Sequence, residues 1–251
     1  MTAHRYLRAA GRWSAAIVGA AAAGYAGYVA TAWLQYGNAR APRPEEVDSH
    51  LDRFMPLYEV VDRHHIRIAA PAEVVSTAAR EMRLGRSPAI RAIFKAREFV
   101  LGATPQDRTH GQGLLAEMQS IGWRVLTEIP GREVIVGAVT RPWEANVTFR
   151  PIAPDVFAAF AEPGYVKIVW TLRADPAGDD AGIFRTETRA IATDAAARAR
   201  FRRYWSFFSP GIRTIRRLLL APLRADAERR AEERSDSGSL VPLRCRSRDL
   251  S

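Results

Sequence analysis

Residues Thr193–Arg230 read TDAAARARFRRYWSFFSPGIRTIRRLLLAPLRADAERR. Phe201, Tyr204, Trp205 and Phe208 follow one another at i, i+3, i+4 and i+7, the spacing that lines one face of a helix. Ile212, Ile215 and Leu219 prolong the apolar stripe, and Arg198, Arg202, Arg213, Arg216 and Arg224 fill much of the remaining surface. Each covered ring buries roughly 150–250 Å², so a stripe with this many aromatics needs a broad apolar partner. The segments just upstream read as strands and supply that partner. The fold class is therefore α+β, with a long helix lying across a sheet. Thr193-Asp194 is expected to cap the helix, and Ser209-Pro210-Gly211 to kink or break it. The polar stretch 234–251 reads as a disordered tail.

Upstream of the helix, Val166, Ile168, Trp170 and Leu172 alternate with Lys167, Thr171 and Arg173, the pattern of a half-buried strand. The turn Asp175–Gly182 leads to Ile183–Thr193, where Phe184, Thr186 and Thr188 alternate with Arg185, Glu187 and Arg189. Those charges are expected to face water and pair across strands. Trp123–Ile129 and Glu133–Thr140 flank Pro130-Gly131-Arg132, a tight hairpin connection. Asn146–Arg150 reads as a short strand and Pro151–Phe160 as a connection with a helical turn. Before them come a first strand, Tyr58–Ile68, a helix starting at Ala70-Pro71-Ala72-Glu73, a second capped by Ser87-Pro88, and a third around Leu114–Ile121. His64 and His65 are neighbours on a strand and point to opposite faces, so they read as surface histidines, not as ligands of one metal ion.

Trp13–Tyr36 has no charged residue in 24 positions, enough for a helix to cross ~30 Å of hydrocarbon. Arg5, Arg8 and Arg12 precede it, and Trp13, Trp33 and Tyr36 stand at its ends, where interfacial aromatics belong. The segment is nonetheless alanine- and glycine-rich. A cleaved signal peptide, with Ala30-Thr31-Ala32 as its processing site, and a buried soluble helix both stay open beside the retained anchor. The arginine balance across the span favours a cytoplasmic N-terminus, by a thin margin. The expected location is a single-pass protein of a bacterial inner membrane, its domain extracytoplasmic. The organisation is then a basic flank (1–12), the span (13–36), a proline-spaced linker (37–56), a folded domain (57–233) and the tail (234–251).

A formal charge of +10 over 251 residues, with Lys95 and Lys167 the only lysines, is consistent with arginine-rich coding or with an anionic partner. Beside a membrane segment, that partner is lipid headgroups; nucleic acid is not expected. The candidate headgroup contacts are Arg202, Arg213, Arg216 and Arg224. The lone Cys245 allows no intrachain disulfide. There is no G-x-S-x-G elbow, H-E-x-x-H, paired-cysteine metal site or P-loop, and Gly111-Gln112-Gly113 is too short for a dinucleotide fingerprint. No metal or cofactor is expected. Glu144, Glu187, His110 and Tyr204 are conceivable acid–base groups, but nothing in their spacing selects them.

The order of elements, with IRIAAPAEVV after the first strand and FRRYWSFFSPGIRTIRR in the last helix, resembles the START-like (SRPBCC) superfamily over roughly Tyr58–Arg230. The stretches IGWRVLTEIPGREVIVGAVTRPW and FAEPGYVKIVWTLRAD are similar to an uncharacterised bacterial branch of it. The resemblance implies a helix-grip fold, a curved antiparallel sheet around the C-terminal helix. An apolar ligand, either a hydrophobic small molecule or a lipid, is commonly held between sheet and helix. The candidate lining is Trp143, Trp170, Phe184, Thr186, Phe201, Tyr204, Trp205 and Phe208, which would equally make a filled core. The resemblance also admits a cyclase or dehydratase on the same scaffold.

Overall fold

The computed structural model describes residues 2–83, 87–104 and 113–239. His110, Gly111, Gln112, Cys245 and the rest of 240–251 lie outside the described residues. Helix α1 (Thr2–Gln35) is followed by a 3-10 turn at Pro44–Glu46, α2 (Ser49–Phe54) and β1 (Val60–Ile68). Three helices come next, α3 (Ala72–Glu81), α4 (Pro88–Leu101) and α5 (Leu114–Ser120). The strands β2 (Arg124–Ile129), β3 (Glu133–Thr140) and β4 (Phe149–Arg150) precede the short α6 (Pro154–Phe157). The chain ends with β5 (Val166–Pro176), β6 (Gly182–Ala192) and α7 (Ala195–Ser239).

The strands form one antiparallel sheet in the order β1-β6-β5-β3-β2, with β4 paired to the end of β3. Pro130-Gly131-Arg132 closes the β2–β3 hairpin as expected, with Gly131 at φ 70, a left-handed value that favours glycine. Both faces of the sheet are covered, which is why every residue of β3 is buried. On the inner face α7, α3 and α5 cover Ile68, Val134, Val136, Trp170, Leu172 and Phe184. On the outer face α2 and α6 bring Leu51, Phe54, Met55 and Phe157 onto Leu126, Ile135, Val139 and Val169.

Asp194 caps α7, accepting from the N–H groups of Ala196 (2.7 Å) and Ala197 (2.9 Å). The expected break at Pro210 does not occur, and α7 is one helix with Pro210 and Pro222 inside it. The nitrogen of Pro210 cannot bond to the Ser206 carbonyl. Tertiary contacts hold the turn instead: Ser206 and Ser209 are fully buried, and the Tyr28 hydroxyl lies 3.1 Å from Ser209 Oγ. The helix also continues through residues 234–239, which the sequence reading placed in the tail. The stretch 37–56, read as a linker, carries α2 and packs Leu51 and Met55 into the core.

The charges of β6 do pair across strands, but they do not face water. Arg189 is 1% and Glu187 5% exposed, because α2 and the turn after it cover the outer face. Arg63 bonds to Glu187 at 2.8 and 3.0 Å. Arg189 bonds to Glu187 at 2.6 Å, to the Met55 carbonyl at 2.8 Å, and lies over the Tyr58 ring.

Candidate functional site

Alternation along β1 sends Val60, Asp62, His64, Ile66 and Ile68 to the inner face, under α7. Register places Thr188 opposite Asp62 and Thr186 opposite His64, and brings Trp170 of β5 beside Thr188. Arg216 lies within the helix stripe, four residues after Ile212 and three before Leu219, and so points toward the same patch of sheet. Its guanidinium lies 4.2 Å over the Trp170 ring, while Trp170 Nε1 donates to Thr186 Oγ1 at 2.6 Å.

Asp62 is the only carboxylate this patch offers to Arg213 and Arg216 among the described ion pairs. Arg213 Nε stands 3.7 Å from one of its oxygens and Arg216 Nε 3.9 Å from the other. Those separations are ion pairs, too long for hydrogen bonds. Arg213 Nε, Arg216 Nε and Nη1, and Thr188 Oγ1 are consequently buried without a hydrogen-bond partner. Burial lowers the Arg216 pKa to about 10, with the Asp62 charge opposing the fall, so it stays protonated at neutral pH. Burial works to raise the Asp62 carboxyl, but the hydrogen bond from His64 at 3.1 Å and the charges of His64, Arg216 and Arg213 outweigh it and hold it low. Two guanidinium groups and one carboxylate leave the cluster with a net positive charge. His64 is thus half-buried against Asp62, not a surface histidine; His65, on the other face, is exposed.

Around this polar centre the residues read as candidate lining pack against one another. Phe201 and Trp205 are buried with Tyr36, Val60, Val166 and Ala190; Trp143 and Tyr204 pack at the edge. Phe208 stacks on Tyr204 at 4.9 Å, and Phe184 is buried beside Trp170. Two concavities among the described residues lie elsewhere. One is a polar cleft on the outer face, edged by Glu46, Arg63, His65, Arg173, Arg185 and Glu187, with room for about one water. The other is an open groove along Arg229, Arg230, Glu233 and Arg234. Arg97 of α4 closes the edge of the helix–sheet interface, donating to the carbonyls of Pro142 (3.1 Å) and Glu144 (3.3 Å) and to the Tyr204 hydroxyl (3.3 Å).

Of the arginines read as headgroup contacts, Arg216 is turned inward, and Arg213 faces Asp62 and donates to the Tyr28 hydroxyl at 3.1 Å. Arg202 donates to the Trp33 carbonyl at 2.8 and 3.0 Å. Arg224 alone is well exposed, paired with Glu228 at 2.9 Å. Of the conceivable acid–base groups, Glu187 lies in the outer-face ion network and Glu144 pairs with Arg141 at 3.5 Å. Neither joins the inner-face cluster.

One grouping on the outer face has the makings of a cation site. Asp48, His50 and Glu133 bring ligand atoms within 4.8 Å of one another. Asp48 already caps α2, Thr171 Oγ1 donates to Glu133 at 3.0 Å, and the Arg173 guanidinium stands 3.9 Å from Asp48, which opposes a metal ion. Burial first, and then the Asp48 carboxyl, push Glu133 up to about 8, so Glu133 holds a proton at neutral pH.

Protein-family models and curated protein sequences provide no match to the chain. Among solved structures it is similar to a conserved protein from Geobacillus kaustophilus, at 10% identity and a TM-score of 0.30, over 69% of this chain and 95% of that one. It is also similar to a START superfamily protein from Mycobacterium smegmatis, at 10% identity and a TM-score of 0.24, over 69% and 97%. A third is an aromatase/cyclase from Streptomyces sp. R1128, at 13% identity and a TM-score of 0.21, over 68% and 94%. The strand order β1-β6-β5-β3-β2 and the long C-terminal helix across its inner face give the domain a helix-grip fold on their own evidence.

Proposed function

We propose that the protein binds a hydrophobic small molecule or lipid with an acidic head, between α7 and the inner face of the sheet. One observation carries this reading. Arg213 and Arg216 converge on a single carboxylate with buried donors left unpartnered. A buried cation without full compensation is costly, and a carboxylate or phosphate on a ligand supplies what Asp62 alone does not. The aromatic and aliphatic surroundings of the cluster suit the rest of such a molecule. Entry requires α4 to move, since Arg97 bolts it across the edge of the interface.

The test is native mass spectrometry with solvent extraction on the full chain purified in mild detergent. A co-purifying acidic amphiphile is expected, reduced at least about tenfold by Arg216→Gln, as loss of a charge-assisted contact implies. No bound mass, together with no uptake of a fluorescent fatty acid, would sink the reading. The Asp62–His64 pair at 3.1 Å gives a second reading, an acid–base enzyme on the same scaffold. His64→Gln would then leave the ligand bound but unconverted, whereas a carrier shows no conversion in either form.

A further inference from the structure

Helix α1 does not stand apart from the domain. From Tyr25 onward it runs antiparallel to the first half of α7. The Tyr25 hydroxyl donates to the Phe207 carbonyl, Tyr28 meets Ser209 and Arg213, and the Trp33 carbonyl accepts from Arg202. Tyr36 packs on Phe201 and donates to Glu59. Before Tyr25 the described side chains, Trp13 and Ala16–Gly24, are exposed, and the uncharged stretch 13–24 is roughly 18 Å long at 1.5 Å per residue against ~30 Å of hydrocarbon. With α1 docked, the domain cannot hang from a simple perpendicular span. It is held close to whatever surface α1 enters.

On the opposite flank of α7 lies α4, where Arg97 reaches Tyr204 and a side chain at Gly211 would meet Ile93. The three helices form a layer over the sheet, and its exposed residues have one character. Trp33, Leu34, Phe99, Val100, Phe207 and Leu218 are 39, 72, 89, 66, 47 and 38% exposed. Arg200, Arg203 and Arg217 share the exposed side of α7 with Phe207 and Leu218, at helical spacing. The sequence of α7 contains no Asp or Glu from Ala195 to Arg224, α1 contains none, and α4 contains only Glu98. A surface that is apolar, arginine-bearing and almost free of acid on three adjacent helices fits one partner in particular.

We propose that the outward face of the α1–α7–α4 layer lies on an anionic lipid bilayer, with Phe207, Leu218, Phe99 and Val100 at the acyl boundary and Arg200, Arg203 and Arg217 on headgroups. This assigns the headgroup contacts to arginines other than Arg202, Arg213 and Arg216, which are turned into the protein. It also brings the α4 edge of the helix–sheet interface to the membrane.

The experiment uses the full chain with Cys245→Ser, reconstituted into phosphatidylcholine vesicles with or without phosphatidylglycerol. Single cysteines at 207, 218, 99 and, as an outer-face control, 57 carry an environment-sensitive dye, and brominated lipids serve as quenchers. Quenching is expected at 207, 218 and 99 but not at 57, stronger with phosphatidylglycerol, and cut by roughly half or more at high salt or in Arg200→Glu/Arg203→Glu/Arg217→Glu. Dyes that stay in water at 207 and 99 while the protein remains vesicle-bound would overturn the proposal, because α1 alone would then be holding the domain away from the lipid. Equal quenching with and without phosphatidylglycerol would overturn its electrostatic part. A circular-dichroism melt in detergent separates either result from misfolding of the charge-reversed variant.

Discussion

Asp62 sits where two guanidinium groups need it and where, among the described ion pairs, no second carboxylate stands in reserve. Asp62→Asn is nearly isosteric but removes the compensating charge, leaving Arg213 and Arg216 under α7 with an uncompensated charge. The expected loss is about 3–5 kcal/mol in chemical unfolding, against a smaller loss for Arg216→Met, which removes the buried charge along with its partner's need. An equal or larger loss in Arg216→Met would mean that the pair contributes net stability. Glu133 titrates in the opposite sense from an ordinary surface acid. Its pKa is raised from 4.5 to about 8, so between those values the folded chain holds a proton that the unfolded chain has released. Its contribution is complete below pH 4.5 and is lost as pH rises through 8. Melts of the wild type and Glu133→Gln from pH 5 to 9 are expected to converge at low pH and to diverge at high pH, with Gln the more stable. Little of the inner cluster was legible beforehand. Asp62 was unremarked, His64 read as surface, and Arg216 read as a lipid contact, although its place in the Ile212–Leu219 stripe marked it as inward-facing.

At the scale of elements, the readings that held are those where local chemistry decides the outcome. Pro130-Gly131-Arg132 closes its hairpin, Ser87 caps α4 through the Ile90 N–H, and Asp194 caps α7. Those that failed depended on neighbours distant in sequence. Alternating Arg185, Glu187 and Arg189 looked like a wet face, because a period of two cannot tell water from a second layer of helices. That layer includes α2, whose signal was present in Asp48 as a cap and in Leu51, Phe54 and Met55 at helical spacing. Pro210 was overruled by contacts from α1, which sequence periodicity does not register. The outer layer also explains Gly137, in the middle of β3. A Cβ there would come within 2.6 Å of Leu126 Cδ1 and 2.8 Å of the Phe157 ring. Gly137→Ala is expected to cost about 1–3 kcal/mol by overpacking. Phe157→Leu in the same chain should recover part of that loss; no recovery would place the strain against Leu126 instead of beneath α6.

For the whole molecule, the question is where the uncharged N-terminal stretch ends and the domain begins. Composition puts the boundary after Tyr36, at the last residue of the uncharged run. Packing puts it near Tyr25. Beyond that point Tyr28 and Ala32 of α1, and Tyr36 just after its end, belong to the domain; Tyr36 is 7% exposed, and Glu59 links it to Arg198 of α7. Two truncations separate these boundaries. Removing residues 1–24 deletes a stretch whose described side chains, Trp13 and Ala16–Gly24, are exposed, and the melting temperature is expected to stay within a few degrees of the full chain. Removing residues 1–36 strips Tyr36 from a buried aromatic cluster and leaves Glu59 without its phenol. The expected loss is about 3–5 kcal/mol, comparable to truncating a core aromatic, with aggregation as the exposed flank of α7 finds other partners. If both fragments melt alike, α1 is a tether and its docking contributes nothing to the fold. If only the longer deletion is unstable, the second half of α1 is part of the domain, and a signal-peptide cut after Ala32 would remove the helix that covers one side of α7.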